Sequence, residues 1–453
     1  MRPLALPPLP HQTEAIEFAL RNKRVYLALD MGTGKTVCGI GVVASSPTPA
    51  LVVVPPSLRN NWKAEFAKFA PWLTVEVIRG TKVDALQPAD VYVIGDSTLA
   101  HWAQHFTGRV HTLIVDEAHR HKNKSRRSEA LKAVAESVKG PVVLMSGTPT
   151  PNGRHQELAQ QIDILGPQAW EDIGGYISFW ETFCPKVNSR RRGNANTDVL
   201  HQRLMSTWMM RRHRDDVLSL PSKDRQAVLM QCRGKPRDDY LRAESDLIGW
   251  LRDEGKDTSG AMRAEALVKL QTLRRLAGEG KVMDTVRYTK KHLAATSGGV
   301  FLVAEHKVVI ERLLKHLSKY DPVVIRGGMS DRQKQSAVDA FVSGKSRVMV
   351  GQIISAGVGL TLHGNGLNNK VVIVQLPWTP ADLCQAEDRV HRIGQTSDVN
   401  VSVALSSIDN TWTIDQRLYE VLNEKHITVG ELIDGQGEML LDEIIDGILD
   451  TYR

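Results

Sequence analysis

Short, nearly uninterrupted apolar runs alternate with helical patterns over the first 150 residues of this chain. Such runs are typical of strands in a parallel sheet that is covered on both faces. Their alternation with helices predicts a doubly wound α/β domain. The strand candidates are Val25–Leu29, Leu51–Val54, Val91–Ile94, Leu113–Val115 and Val142–Met145, and the helix candidates include Ser57–Phe69 and Ser128–Val138.

The same alternation returns near Val300, after a long stretch of helical pattern. A length of 453 residues suggests two to four domains at roughly 100–200 residues each. We therefore predict an α/β fold with two doubly wound parallel-sheet lobes and helical insertions. The second set of strand candidates is Val300–Ala304, Val323–Ile325, Val348–Val350, Val371–Gln375 and Val401–Ala404. The predicted segments are an N-terminal lobe at 1–150, a helical insertion of lobe one at 151–225, a helical insertion or linker of lobe two at 226–281, and a C-terminal lobe at 282–453.

Composition indicates which partners and which cellular compartment to expect. The net charge of +7 favours a polyanionic partner, although many basic proteins bind no nucleic acid. The four cysteines are scattered without a CxxC pair, which argues against structural zinc and fits a reducing compartment. No apolar run approaches the roughly 18 residues of a membrane helix. We expect a soluble intracellular protein (in cytoplasm, nucleoid or the host cell of a virus) with no membrane partner.

A glycine-rich segment directly after the first predicted strand has the features of a phosphate cradle. Glycines let backbone N–H groups turn toward phosphates, and the following helix N-terminus adds positive potential. Lys35 would reach the β- and γ-phosphates of a nucleotide, and the Thr36 hydroxyl would bind Mg²⁺. Leu29 stands where the general pattern has a glycine, so a glycine-rich turn with a surface lysine is the alternative. The cradle residues are Gly32, Thr33, Gly34, Lys35 and Thr36.

Two further strands are followed by polar groups suited to the same chemistry. Asp116, at the end of a buried strand, could hold Mg²⁺, and its neighbour Glu117 could orient or deprotonate an attacking water. Ser146 and Thr148 could sense the γ-phosphate through their hydroxyls. The alternatives are a strand ending in a polar turn and a turn stabilised by Ser and Thr hydrogen bonds.

Near the C-terminal end, a predicted helix begins at Thr379-Pro380 and stops at Gly394. On it Gln385, Arg389 and Arg392 lie at i, i+4 and i+7 and would share one face. As arginine fingers, Arg389 and Arg392 would stabilise charge on a transferring phosphoryl group, worth ~10³–10⁵ in rate. The alternative is a solvated face with pairs such as Glu387–His391.

In this order, the motifs resemble those of the Swi/Snf-type ATPases of helicase superfamily two, and are most similar to the annealing-helicase branch. The most specific segments are MMRRHRDDVLSLPSK at 209–223, SAGVGLTL at 355–362 and QAEDRVHRIGQ at 385–395. The resemblance covers Leu9 to about Gln416. Leu29 and Thr33 differ from the acidic and apolar residues usual in the family's cradle. The resemblance implies two RecA-like lobes forming a motor without the appendages of larger relatives.

The resemblance also implies roles for individual residues. Gln12 would contact adenine, and Arg211 and Arg212 would belong to a segment that docks back on the motor. The residues expected to bind ATP are Gln12, Gly32, Thr33, Gly34, Lys35, Thr36 and Gln385, with Mg²⁺ on Thr36 and Asp116. The expected catalytic residues are Lys35, Asp116, Glu117, Arg389 and Arg392. The positions expected to track a DNA backbone are Ser57, Thr148, Gly327, Gly328, Ser355 and Gly357.

The function that the resemblance implies is an ATP-dependent translocase on double-stranded or branched DNA. It would hydrolyse ATP at the cleft between the lobes, with Mg²⁺, to remodel, branch-migrate or reanneal the DNA. A monomer suffices because both halves of the site are in one chain. Two alternatives stay open: a helicase on RNA or single strands, and a degenerate ATPase that only binds DNA. The basic clusters Arg120–Arg127, Arg190–Arg192 and Arg211–Arg214 could contact phosphates or could be solvated surface.

Overall fold

A computed structural model describes residues 3–83, 86–151, 154–186, 193–254, 260–353, 361–364, 366–409, 411–426, 448–449 and 451–452. The chain divides into two compact units, one ending at Ser219 and the next beginning at Leu220. We call them lobe one and lobe two and describe each by itself. Within the described ranges no helix is both long and apolar enough to cross a membrane.

Lobe one is built on a parallel sheet in which seven strands lie among the described residues, in the order β3-β4-β2-β5-β6-β1-β7. Its central strands are buried along their whole length, as their apolar runs predict. The strands are β1 Arg24–Leu29, β2 Ala50–Val54, β3 Val75–Val77, β4 Val91–Gly95, β5 Thr112–Asp116, β6 Val142–Met145 and β7 Met209–Arg212. The predicted doubly wound lobe is confirmed.

Helices cover this sheet and fill the segment between β6 and β7. The predicted helix at Ser57–Phe69 starts later than expected, because Pro56–Leu58 forms a 3-10 turn first. The helices are α1 Pro10–Asn22, α2 Lys35–Ala44, α3 Arg59–Phe69, α4 Leu99–Phe106, α5 Arg126–Ser137, α6 Ala159–Leu165, α7 Pro167–Asp172, α8 Tyr176–Ser178, α9 Thr197–Ser206 and α10 Arg214–Val217, with a π-helical segment at Phe179–Phe183.

Lobe two contains the second predicted sheet, with the strand order β10-β11-β9-β12-β13-β14 and with β8 paired to β13 in the described residues. All pairs are parallel except β13 with β14. The strands are β8 Lys223–Gln231, β9 Val300–Ala304, β10 Val323–Ile325, β11 Val348–Gln352, β12 Lys370–Ile373, β13 Val399–Ile408 and β14 Thr411–Trp412. The helices are α11 Lys235–Glu254, α12 Gly260–Gly280, α13 Val282–Ala295, α14 Lys307–His316, α15 Asp331–Val342, α16 Pro380–Glu387 and α17 Ile414–His426.

The predicted segment boundaries differ from the structure around residue 220. Strand β8 joins the sheet of lobe two over nine residues, from Lys223↔Val399 to Gln231↔Ser407. The predicted helical insertion at 226–281 therefore begins with strand, and its helical part starts at Lys235. The strand was not predicted although it contains the apolar run AVLM at 227–230, because the first four residues of β8 are charged or polar and most of its length is half-buried or exposed.

Candidate nucleotide-binding site

The order of the strands explains why three separate motifs meet in lobe one. Strands β5, β6 and β1 are parallel neighbours in the sheet. The cradle follows β1, the acidic pair closes β5, and Ser146 follows β6. Because the carboxyl ends of parallel strands lie at the same edge of a sheet, all three motifs lie there.

The cradle turn has the backbone that its glycines predict. Gly32 and Gly34 have φ values of 82° and 83°, in the left-handed region that glycine adopts without strain. Helix α2 starts immediately afterwards, at Lys35. Its first N–H groups and the positive end of its dipole are therefore directed at the turn, the arrangement that binds phosphate in nucleotide-binding proteins.

Lys35 extends back over the cradle. Its Nζ donates hydrogen bonds to the backbone carbonyls of Leu29 (2.9 Å) and Asp30 (3.0 Å). Burial lowers the pKa of Lys35, while the negative charges of Glu117 and Asp116 raise it. The surface-lysine alternative therefore does not describe this side chain, which is directed inward toward the carboxylates.

Of the acidic pair at the end of β5, Asp116 is buried and Glu117 is half-buried. Asp116 accepts hydrogen bonds from the indole Nε1 of Trp62 (3.0 Å) and from the backbone N–H of Glu117 (3.0 Å). Burial, together with the charge of Glu117, raises the pKa of Asp116 to about 6. The Oε2 atom of Glu117 is buried and has no hydrogen-bond partner in the part of the chain that the structure describes, although Nδ1 of His119 lies 3.4 Å from it. A cation or a water at this position would compensate both carboxylates.

The oxygen donors near the cradle suit a magnesium ion that is bound partly by the protein and partly by a nucleotide. Within the described parts of the chain, no three His, Cys, Asp or Glu side chains converge as a metal site. Mg²⁺ is commonly bound by one or two carboxylates plus substrate phosphates and water. Asp116 and the Thr36 hydroxyl at the start of α2 fit that requirement, with Glu117 beside them.

A polar chain joins the acidic motif to the loop after β6. The ring Nδ1 of His119 lies 2.8 Å from Oγ of Ser146, which in turn accepts the backbone N–H of Thr148 (3.0 Å). Burial, with nearby cationic side chains, lowers the pKa of His119 to about 4, so its imidazole is neutral near pH 7. The hydroxyl of Ser146 is thus engaged by two neighbours in the way expected of a structured turn.

Gln12, the expected adenine contact, lies against the cradle. Its Nε2 donates to the carbonyl of Thr33 (3.0 Å), and its Oε1 accepts the N–H of Leu9 (2.9 Å). The ring Nε2 of His11 lies 2.8 Å from the same carbonyl of Thr33. The support from His11 was missed, because a lone histidine in a helix start carries no signal of its own.

Strand β7 brings the MMRRHR segment to the cradle, as the resemblance implied. Arg211 is paired with Asp30, with Nη2 2.7 Å from Oδ1, and also donates to the carbonyl of Ala28 (2.9 Å). The backbone N–H of Arg214 donates to Oδ2 of Asp30 (2.9 Å). Arg212 pairs instead with Glu14. The docking of this segment on the motor is confirmed within lobe one.

The basic cluster at 120–127 is largely occupied by acidic neighbours. Arg120 and Arg127 both contact Oδ2 of Asp96, at 2.6 and 3.3 Å. Lys122 lies 2.6 Å from Glu157. These pairs hold the cluster against lobe one, so its cations are less available to phosphates than their sequence suggests. Residues 190–192 lie outside the described ranges.

The predicted arginine helix is wrong in its second half. Helix α16 begins as expected, with Thr379 Oγ1 accepting the N–H of Asp382 (3.2 Å), but it ends at Glu387. Residues 388–395, here called the arginine loop, form turns, so Arg389 and Arg392 do not share a helix face with Gln385.

The Glu387–His391 side-chain pair, which belonged to the alternative of a solvated face, is also not formed among the described residues. The Glu387 carboxylate binds Lys223 and Arg225, whereas the ring Nε2 of His391 lies 2.7 Å from the carbonyl of Pro221. Both side chains therefore contact residues at or just before the start of β8, at the point where α16 ends. These partners lie more than 160 positions earlier in the sequence.

Of the positions expected to track DNA, four can be placed. Ser57 is half-buried in the 3-10 turn after β2, and Thr148 is half-buried after β6. Gly327 and Gly328 are exposed after β10, with φ 82° at Gly328 and the Gly327 N–H donating to Gln352 (3.1 Å). Ser355 and Gly357 lie outside the described residues.

Comparison with known proteins agrees with this reading of the fold and cradle. The model of the SNF2-related domain matches residues 11–280, and that of the helicase conserved C-terminal domain matches residues 281–394. A strand–cradle–helix unit in a doubly wound lobe, followed by a helicase C-terminal domain, defines a helicase-type nucleotide-dependent motor core. The chain belongs to the SNF2-related family of helicase superfamily two.

Curated relatives include the DNA annealing helicase and endonuclease ZRANB3 of Bos taurus, 31% identical over 96% of this chain and 41% of the relative. Another is the SWI/SNF-related matrix-associated actin-dependent regulator of chromatin subfamily A-like protein 1 of Xenopus tropicalis, 30% identical over 93% of this chain and 44% of the relative. The chain thus spans less than half the length of these relatives. Among solved structures, a Sulfolobus solfataricus SWI2/SNF2 ATPase core in complex with dsDNA has a TM-score of 0.44 at 22% identity, covering 96% of this chain and 95% of that one.

Proposed function

We propose that the chain is an ATP-dependent translocase on double-stranded or branched DNA that remodels, branch-migrates or reanneals its substrate. The observation that carries this proposal is the convergence of Lys35, Asp116 and Glu117 at one sheet edge, in a member of the SNF2-related family. The bovine relative, named as a DNA annealing helicase and endonuclease, supports the choice of DNA and of reannealing.

In this proposal lobe one holds the nucleotide. The cradle N–H groups and the Lys35 ammonium bind the β- and γ-phosphates, exchanging the carbonyls of Leu29 and Asp30 for phosphate oxygens. Gln12 contacts adenine, since an amide engaged once at each end keeps one N–H and one lone pair. Thr36 and Asp116 would hold Mg²⁺, which when bound neutralises charge on the phosphates.

Hydrolysis would then need a base and a source of positive charge. Glu117 orients the attacking water through Oε2, a buried atom that has no hydrogen-bond partner among the described residues and lies 3.4 Å from Nδ1 of His119. Arg389 and Arg392 of lobe two stabilise charge on the transferring phosphoryl group in the hydrolysing state. Repeated closing and reopening of the lobes, each gripping the backbone, would advance the motor along DNA. One chain supplies every group named, so we propose that it acts as a monomer.

The test is steady-state ATP hydrolysis with no nucleic acid, with duplex DNA, with single-stranded DNA and with RNA. We expect strong stimulation by duplex or branched DNA, and its loss in Lys35→Ala. Stimulation only by RNA or single strands would replace the proposed track with the alternative one. Absence of hydrolysis under every condition, with DNA binding intact, would favour the degenerate DNA-binding module.

A further inference from the structure

Lobe two contains a buried ion-pair cluster next to the arginine loop. The Glu387 side chain has no exposed area, and it is the last residue of α16, two positions before Arg389. Arg225 donates to both of its oxygens, from Nε (2.7 Å) and Nη2 (2.9 Å), and Lys223 Nζ donates at 2.8 Å. A buried carboxylate is tolerated only when it is paired and hydrogen-bonded, as this one is.

One short segment, residues 221–225, supplies the partners of Glu387 and of the arginine loop described here. Lys223 and Arg225 are two positions apart on β8 and so point to the same face of the strand. Lys223 also lies 3.6 Å from Oδ1 of Asp388, and the carbonyl of Pro221 contacts His391. Residues 221–225 therefore hold the end of α16 and the arginine loop at three positions: Glu387, Asp388 and His391.

The charged groups of Lys223 and Arg225 are both bound to Glu387. Their side chains are only 18% and 19% exposed, and their charged groups are directed at Glu387. Although burial alone would raise the pKa of Glu387, Lys223 and Arg225 lower it below its ordinary value. Both cations therefore face Glu387, which Lys223 contacts together with Asp388, and not a DNA phosphate.

We propose that Lys223 and Arg225 are positioning residues for Arg389 and Arg392, acting through the buried carboxylate of Glu387. The inference rests on the proposed function, in which those arginines stabilise the transferring phosphoryl group. A bidentate arginine–carboxylate pair fixes direction as well as distance. The arginine loop continues from α16 as turns, and its first residues still donate backbone bonds to the helix, from Asp388 to Cys384 (2.9 Å) and from His391 to Glu387 (3.1 Å). Because the helix itself ends at Glu387, side-chain anchors at this residue add to those bonds in setting the geometry of the loop. The backbone carbonyl of Arg389 receives one more, from the N–H of Leu362 (2.8 Å).

The first test replaces Arg225 with Met, which keeps an apolar stem and removes the fork. A misplacement of about 1 Å in a catalytic group can cost on the order of 10²-fold in rate, so we expect kcat of DNA-stimulated hydrolysis to fall by that order. The KM for ATP and the affinity for a fluorescent nucleotide should change by less than about twofold, because the cradle is in lobe one. Lys223→Met should show the same pattern with a smaller loss.

Two controls separate positioning from general damage. Arg287→Met removes an arginine of lobe two that is 70% exposed and paired with Asp284, and it should leave kcat unchanged. Arg225→Lys keeps the charge without the fork and should give an intermediate kcat, which keeps the test decisive if Arg225→Met does not fold. Thermal unfolding of each variant gives the folded fraction used to correct kcat.

The most specific readout is the combination with a variant that lacks both arginines, Arg389→Ala/Arg392→Ala. If Arg225 acts only by placing these two arginines, Arg225→Met should add little further loss of kcat in that background. A full, multiplicative loss in that background, or wild-type kcat in a folded Arg225→Met variant, would overturn the inference. Absence of nucleic-acid-stimulated hydrolysis in the wild-type chain would overturn the proposed function and this inference together. That result differs from the two results above, which would overturn the inference alone.

Discussion

Arg211 and Asp30 form an ion pair beneath the cradle, with Nη2 of Arg211 2.7 Å from Oδ1 of Asp30. The backbone carbonyl of the same aspartate accepts a hydrogen bond from Lys35 (3.0 Å), and its other carboxylate oxygen accepts the N–H of Arg214 (2.9 Å). Asp30 therefore contacts both Lys35 and the segment through which the chain leaves lobe one.

Asp30→Asn tests this connection. Hydrogen bonds to charged groups contribute ~1.5–3 kcal/mol, so we expect the free energy of unfolding of lobe one to fall by an amount of that order. The KM for ATP should rise, because the carbonyl anchor of Lys35 shifts with the side chain. Chemical denaturation and steady-state kinetics measure the two effects.

The matched control is Arg212→Gln, which breaks the neighbouring pair with Glu14. Both of those side chains are more exposed, at 35% and 50%, and an exposed pair is worth ~0–1 kcal/mol. Equal effects of the two substitutions on KM would contradict a specific role for Asp30.

Trp62 is expected to set the orientation of Asp116, because its indole N–H donates to that carboxylate (3.0 Å). Trp62→Phe keeps an aromatic ring and removes the donor, leaving Asp116 less constrained. We expect kcat to fall and the Mg²⁺ concentration for half-maximal hydrolysis to rise. A magnesium titration of steady-state hydrolysis measures both.

Trp102→Phe is a close control, since that indole is also buried in lobe one but donates to the carbonyl of Gly80 (3.1 Å). From the lost hydrogen bond, Trp102→Phe should cost ~0.5–1.5 kcal/mol of stability and Trp62→Phe, whose partner is a carboxylate, up to ~1.5–3 kcal/mol. Only Trp62→Phe should change the magnesium dependence; a similar change in Trp102→Phe would show that the effect is general.

Arg392 is half-buried, whereas Arg389 is only 7% exposed and its backbone is bonded to Leu362. For Arg392→Ala we expect kcat to fall on the order of 10³-fold or more, with the affinity for ATP in the absence of turnover nearly unchanged. Stability should change by less than about 0.5 kcal/mol. Arg287→Ala serves as the exposed control, and a comparable kcat for both variants would remove Arg392 from the proposed mechanism.

His121 should make lobe one less stable as the pH falls. Burial, only partly offset by the charge of Asp96, lowers the pKa of His121 to about 4, against roughly 6.5 in the unfolded chain. Between these values the unfolded state binds the extra proton, so stability is lost as pH falls from about 6.5 toward 4.

The contribution of His121 between pH 7 and pH 5 is up to about 2 kcal/mol. Denaturation curves over this range should have a shallower pH dependence in His121→Asn than in wild type. Identical slopes would show that His121 is not protonated differently in the two states.

The sequence anticipated those parts of the fold that local pattern controls. Strand β6 begins and ends at the predicted residues, as do β9 and β10, because apolar runs in a covered parallel sheet are visible without knowledge of their neighbours. Strands β7 and β8 were missed because one carries two arginines and the other alternates exposed and half-buried residues.

The site shows the same division between local and long-range information. The cradle backbone follows from Gly32 and Gly34, whose positive φ values match the expected turn. The bonds from Trp62 to Asp116 and from Arg225 to Glu387 join residues 54 and 162 positions apart. No periodicity or motif records such pairs, so neither the support of the acidic pair nor the early end of α16 could be predicted.

The most direct test of the account is displacement of a third strand from duplex DNA. A motor that tracks duplex DNA removes a triplex-forming oligonucleotide in its path without separating the duplex beneath it. We predict ATP-dependent displacement by the wild-type chain, none by Lys35→Ala, and an intact duplex afterwards. Hydrolysis of ATP stimulated by duplex DNA but without displacement, or displacement that persists in Lys35→Ala, would contradict translocation as the function of this chain.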